Sequence, residues 1–385
     1  MNGRRLLMSC AILWAVIDSS AASPWRPTDA QQVIERLPAH MPKPQTTPTR
    51  SVSLDATAPQ IQALLEQAYV QGDPRALGQA DALLAPFAQD NSTQSQLLRA
   101  NIAQADHQFD FSRRALLRLL SQTPDQPDAL LMLSSIDLVQ GRFQDAQRRC
   151  GQIKDLSLLP LRVACVTQVD LMTRPLRDVA PRLAALARLT PTLTPSQARW
   201  IGLMQADAAQ RSNNAALAQQ AFAQLDDSMP ALMAQADWLL AHRQWQAVRD
   251  LLISHTDNDS LLLRLTISDI HLKHPEANAH LQLLGERIHV WQQRGETAHQ
   301  REEAAYAQLI GKPKRALELA RLNWTNQRET ADVVIYATAA LVANSMADIR
   351  ILQDWIKTTG FDYPVLSAHL ARGRLPVITQ VERAS

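Results

Sequence analysis

Residues 127–160 read PDALLMLSSIDLVQGRFQDAQRRCGQIKDLSLLP, and the order of residue types in this stretch decides the fold. Leu130, Leu133 and Ser134 recur at helical spacing after Pro127, a residue favoured in the first turn of a helix. Gly141 closes a turn, and Ala146, Cys150 and Ile153 follow at steps of four and three. The pattern describes two antiparallel helices. Small Ser134 and Ala146 permit close approach, and the large apolar positions fill the seams toward neighbouring pairs. One such pair buries too little surface to hold alone, so pairs must stack.

Outward from this unit the same punctuation recurs. Turn-like spots fall at Gly72-Asp73-Pro74, His107-Gln108, Gly141-Arg142, Arg174-Pro175, Arg211 to Asn214, His242-Arg243, Pro275 to Ala277, Gly311-Lys312 and Asn344-Ser345. From the second onward they step by about 34 residues, with small slips around Arg211. Nine units of that length fill residues 58–363. Scarce glycine (11 of 385 residues) and 5% aromatics disfavour the turn-dense make-up of sandwiches and barrels.

The period, and the order of large apolar, small, turn glycine and alanine, resemble the tetratricopeptide repeat. The unit from Thr297 to Thr330 is similar, with Ala304 and Ala307 before Gly311 and Ala316 and Ala320 after it. The unit from Thr93 to Gln126 also fits, with Ala100, Phe109 and Pro124 in place. Departures are visible: Asp137 stands where the family usually has an aromatic, Pro181 interrupts a second helix, and Ala277 to Gly295 reads as an unusually long one. The resemblance implies an all-α fold, a right-handed superhelical solenoid of stacked antiparallel helix pairs. The chain is also similar to exported bacterial repeat proteins of unassigned activity.

Residues 1–22 have the layout of a secretory signal peptide: Arg4 and Arg5, an apolar run from Leu6 to Ile17, then Ser19, Ser20, Ala21 and Ala22. The run is too short to span a bilayer as a helix. A periplasmic or secreted protein is expected, not an integral membrane protein. Residues 23–57 carry six prolines and form a linker or docked arm, and residues 364–385 are expected to supply a capping helix and tail. With 39 basic against 37 acidic residues, no basic field exists to draw nucleic acid. Loss of Cys10 with the leader leaves Cys150 and Cys165. Such a pair in an oxidising compartment invites a disulfide; the alternative is two small buried hydrophobes.

No phosphate cradle, dinucleotide fingerprint, zinc-protease helix or nucleophile elbow is present, so no catalytic residue, cofactor or metal is assigned. His271, His274 and His280 come nearest to a metal set, but Pro275 cuts their geometry, and they read as solvated histidines beside a turn. Adjacent Glu302 and Glu303 point about 100° apart on a helix and read as a solvated face. Trp200, Trp238, Trp245, Trp291, Trp324 and Trp355 read as packing wedges. The stretch Arg321 to Glu329 is more polar around Trp324 than packing needs and is a candidate contact patch.

The resemblance makes the function binding, by the concave wall of first helices. The groove-facing positions would be Gln94, Leu97, Asn101, Gln104, Asp128, Leu131, Ser135 and Leu138. Only Asn101 is of the type that family members use to clamp a terminal carboxylate. The expectation is an exported scaffold or adaptor for a protein or peptide partner. The alternative is a periplasmic enzyme on a helical solenoid, with clustered carboxylates or histidines in a cleft.

Overall fold

The Ser53 hydroxyl accepts the Ala56 N–H and starts a helix, and from there to Thr359 helix follows helix. The computed structural model describes residues 53–212, 214–363, 366, 367 and 370. The expected leader, most of the Pro-rich arm and most of residues 364–385 lie outside the described residues. No strand occurs among those described.

Among the described residues eighteen α-helices form nine consecutive pairs. The first three are α1 (Leu54–Gln71) with α2 (Pro74–Leu84), α3 (Thr93–Ala105) with α4 (Phe109–Gln122), and α5 (Pro127–Val139) with α6 (Phe143–Gln152). Next come α7 (Leu159–Thr173) with α8 (Leu176–Ala187), α9 (Pro195–Arg211) with α10 (Ala215–Phe222), and α11 (Met229–Ala241) with α12 (Trp245–Leu252). The last are α13 (Asp259–Leu272) with α14 (Ala277–Arg294), α15 (Gln300–Leu309) with α16 (Pro313–Asn326), and α17 (Thr330–Val342) with α18 (Met346–Thr359). Each helix packs on its partner and each pair on the next, and the chain is an all-α helical-repeat solenoid.

The periodic turns have one physical cause. In seven of the nine pairs the first or second residue after the first helix is left-handed: Gly72, His107, Gly141, Arg243, Lys273, Gly311 and Asn344. In six of these the next N–H reaches back five residues, as Arg142 does to the Asp137 carbonyl (2.7 Å) and Lys312 to that of Ala307 (2.8 Å). At Gly141 the glycine is needed twice over. Its φ is 70°, and a Cβ there would lie 2.9 Å from Trp355 and 3.2 Å from Arg328.

Within pairs, small residues bring the helices together. The Ser134 hydroxyl on α5 donates to the Ala146 carbonyl on α6 (3.2 Å), and Ser112 does the same to Ala100 (2.7 Å). Leu130, Leu133 and Ile136 are fully buried in the adjoining core, each worth about 1.5–3 kcal/mol. Between pairs, a disulfide joins Cys150 on α6 to Cys165 on α7. Buried Asp137, at the position expected to be aromatic, accepts from Arg113 Nε of the preceding second helix at 2.9 Å. Burial pushes the Asp137 carboxyl above its usual range, and Arg113 pulls the other way. Asp269 repeats the device with Arg249 at 2.6 Å.

Pro181 does not break its helix: α8 runs through it. A proline there removes one backbone bond in a helix otherwise held by buried Val179, Leu183 and Leu186. The expected long second helix is found as α14, capped by left-handed Gly295. Among the described residues one run, Leu156–Thr173, has the length and composition to cross a membrane, but it contains α7, which carries Cys165 and packs between α6 and α8.

Candidate binding surface

The positions expected to face a groove sit on α3 and α5, the first helices of adjoining pairs. Asn101 and Asp128 are exposed, and the other six are half-buried. Gln104 Nε2 donates to Ser135 Oγ (3.2 Å), so the structure brings these two together. Leu97 and Leu131 pack on the core between the second and third pairs, and Leu131 and Leu138 also flank a second, larger core. Gln94 makes no side-chain hydrogen bond to a described residue.

That larger core was invisible to the repeat. It runs from Phe143, Cys150 and Val169 to Ala304, Trp324, Ala337, Leu352 and Phe361, so the third and fourth pairs share a core with the last two. Phe143 packs against Trp355 (5.9 Å) and Phe361 (6.2 Å). The stretch expected to be a contact patch makes its contacts here. Arg328 N–H donates to the Val139 carbonyl (2.7 Å), its guanidinium donates to that of Gln140 (3.0 Å), and it lies over the Trp324 ring. Asn326 donates to the His107 carbonyl (3.2 Å). Further along, Asp362 N–H reaches the Met172 carbonyl (2.8 Å), and Arg211 bonds Asp207, the Asp362 carbonyl and Thr330. The patch is an intramolecular clasp.

The first helices from opposite parts of the array also meet through charge. Arg199 on α9 binds Glu66 on α1 (2.8 Å) and Asp226 (2.7 Å). Arg264 on α13 grips Asp237 on α11 with two bonds of 2.7 and 2.8 Å. Arg301 on α15 lies 3.4 Å from Glu302, 3.4 Å from Asp332 and 3.6 Å from Glu329. Burial opposes the Arg301 charge, but these carboxylates outweigh it and hold its pKa above the ordinary value. Burial likewise opposes the Glu302 charge, yet Arg301 and Arg264 draw its pKa down. Glu329 differs: burial, then the neighbouring Asp332 charge, push its carboxyl up although the side chain is 49% exposed. Burial and Arg301 lower the pKa of His107, which faces the same cluster.

Two expectations are overturned here. Glu302 and Glu303 are not a solvated face, being 5% and 4% exposed. Because adjacent residues diverge on a helix, Glu302 turns to Ser260 on α13 (3.3 Å) and Glu303 accepts from Gln292 on α14 (2.8 Å). The three histidines are not all solvated either. His280 Nδ1 lies 2.7 Å from the wholly buried Asp269, and His271 stacks on Trp245 at 4.1 Å. Among the described residues no group of three or more His, Cys, Asp or Glu is placed to hold a metal.

The tryptophans are packing wedges in part. Trp238, Trp291 and Trp324 are buried, Trp355 fills the space between Phe143 and Trp324, and Trp200 donates to Gln168 (3.0 Å).

No family model matches the sequence. Over 70 residues, 18% of this chain, the sequence is 37% identical to Cellulose synthase operon protein C of Xanthomonas axonopodis pv. citri (strain 306). The match spans 5% of that protein's length. The local likeness and the paired-helix array fit a tetratricopeptide-like protein.

Proposed function

We propose that the protein is an exported adaptor, periplasmic or secreted, that holds a protein or peptide partner on the first-helix face of its array. The observation that carries the reading is the surface of α3 and α5. Exposed Asn101 and Asp128 stand beside half-buried Leu97, Leu131 and Leu138 on helices fixed by a shared core. Preordered polar and apolar groups of this kind bind without a large ordering cost. The local likeness to a protein named for a cellulose synthase operon supports a setting beside cellulose synthesis. No cofactor or nucleic acid is part of this reading.

The competing reading, an enzyme on the array, gains the converging carboxylates around Arg301. All but Glu329 are buried against cationic or amide partners, which favours a structural network. The adaptor is tested by crosslinking the tagged mature protein in native envelopes and identifying what it holds. A reproducible partner that is lost in Asn101→Arg and Asp128→Arg supports it. A partner held equally by both variants, or none, overturns the α3–α5 surface.

A further inference from the structure

The carboxylate of Glu303 is buried and only half satisfied. The residue is 4% exposed on α15; its Oε2 accepts from Gln292 on α14 (2.8 Å), and its Oε1 has no partner among the described residues. Nor does Glu303 form an ion pair with any of them. A carboxylate taken out of water without a counter-charge is costly to keep. Oε1 is not one of the sealed polar atoms of the core, and Glu303 lines a cavity of about 430 Å³ between α14, α15 and α16. Tyr306 reaches the same cavity, and its hydroxyl bonds to no described residue. A Cβ at Gly285 would lie 2.5 Å from that hydroxyl, so a glycine inside α14 is what leaves room for the phenol.

The lining selects a ligand that carries both charges. A buried carboxylate oxygen without a donor calls for a cation that can donate to it. Among the described residues no group of three or more His, Cys, Asp or Glu could hold a metal, which leaves an organic ammonium. The exposed part of the lining has the opposite sign. Lys312 makes no ion pair with a described residue, and Arg315 meets only Glu318, itself exposed, at 3.3 Å. These two repel a purely cationic molecule and attract a carboxylate. Buried Ile288 and Leu319 supply apolar wall. An ammonium, a carboxylate and an apolar group on one small molecule describe an amino acid, and the volume falls within the range of small-ligand sites. We propose that this cavity binds a free α-amino acid with an apolar side chain, its ammonium on Glu303 and its carboxylate at Lys312 and Arg315. The site lies on other helices than the adaptor surface of α3 and α5 and does not depend on it.

The test titrates the purified protein with leucine and with phenylalanine in a calorimeter. At least one gives saturable heat, and its amide, which lacks the carboxylate, and its deaminated acid, which lacks the ammonium, each bind about tenfold more weakly or worse, the worth of one charged hydrogen bond. Glu303→Gln keeps the shape and the bond from Gln292 but lowers affinity for the amino acid by about tenfold or more. The double variant Lys312→Met with Arg315→Met weakens the amino acid and leaves its amide unchanged. The proposal fails if neither amino acid binds, if the amide binds as tightly as the amino acid, or if Glu303→Gln leaves affinity as it was. Lys312 and Arg315 are exposed and can be replaced without loss of core, so the double variant decides the matter even if Glu303→Gln misfolds. Equal weakening of amino acid and amide in that variant also overturns the assignment.

Discussion

The turns at Gly141 and Gly311 share a backbone and differ in everything around it. Their φ angles are 70° and 72°, and both are closed by a following N–H that reaches five residues back. Around Gly141 lie Trp355 and Arg328 from the end of the array, whereas a Cβ at Gly311 would meet nothing within 4 Å. The left-handed turn is a local requirement of each helix pair. What touches the turn depends on how far the array has coiled.

Substitution separates the two effects. Gly141→Ala combines the left-handed penalty with displacement of Trp355 and is expected to cost about 4 kcal/mol in a urea melt. Gly311→Ala is expected to cost only about 1–2 kcal/mol, the backbone share. Equal losses would break the comparison. Cys150→Ala with Cys165→Ala removes the tie beside the Gly141 turn and is expected to lose about 3 kcal/mol for a closed loop of this length. The Gly141 penalty measured without the disulfide then shows whether the two restraints share one core, since only coupled sites deviate from additivity.

Arg328→Met keeps the packing volume but removes the bond to Gln140 and the charge over Trp324, at an expected cost of about 1–2 kcal/mol. Its effect added to Gly141→Ala should be less than additive, and its effect added to Gly311→Ala should be additive.

The smallest expected effect concerns α18, which carries Trp355 to the clasp. Asp348 there accepts from Arg321, Ser345 and Tyr336, and Arg321 above all holds its carboxyl well below the usual range. A depressed folded pKa gives stability that is present above the unfolded value and lost as pH falls toward the folded one. Asp348→Asn should therefore cost about 1 kcal/mol at neutral pH, a modest figure because Arg321 is half exposed, and nearly nothing in strong acid. Melts of both proteins between pH 7 and about pH 2 check the sign.

The repeat was legible because a helix pair needs the same turn each time. The spacing pointed at His107, Gly141, Gly311 and Asn344, and each closes a turn left-handed. Asp137 could be read as out of place, and its partner Arg113 lay in the preceding unit. The clasp could not be read, because a period encodes contacts with the next unit and is silent about units far along the chain. The burial of Glu302 and Glu303 escaped for a related reason. Their partners lie on α13 and α14, and single-helix geometry says only that the two side chains diverge.

The bonds from Arg328 to Val139 and from Asp362 to Met172 bear on how the molecule comes apart. A stack held only by neighbours frays from its ends, one unit at a time. Here the last pair is fastened to the middle of the chain, and α1 is fastened to α9 by Arg199 and Glu66. Neither terminus can peel away without opening the centre, so the array should melt in a single cooperative step. Deletion of the final pair should unsettle the third and fourth pairs instead of yielding a shorter stable stack.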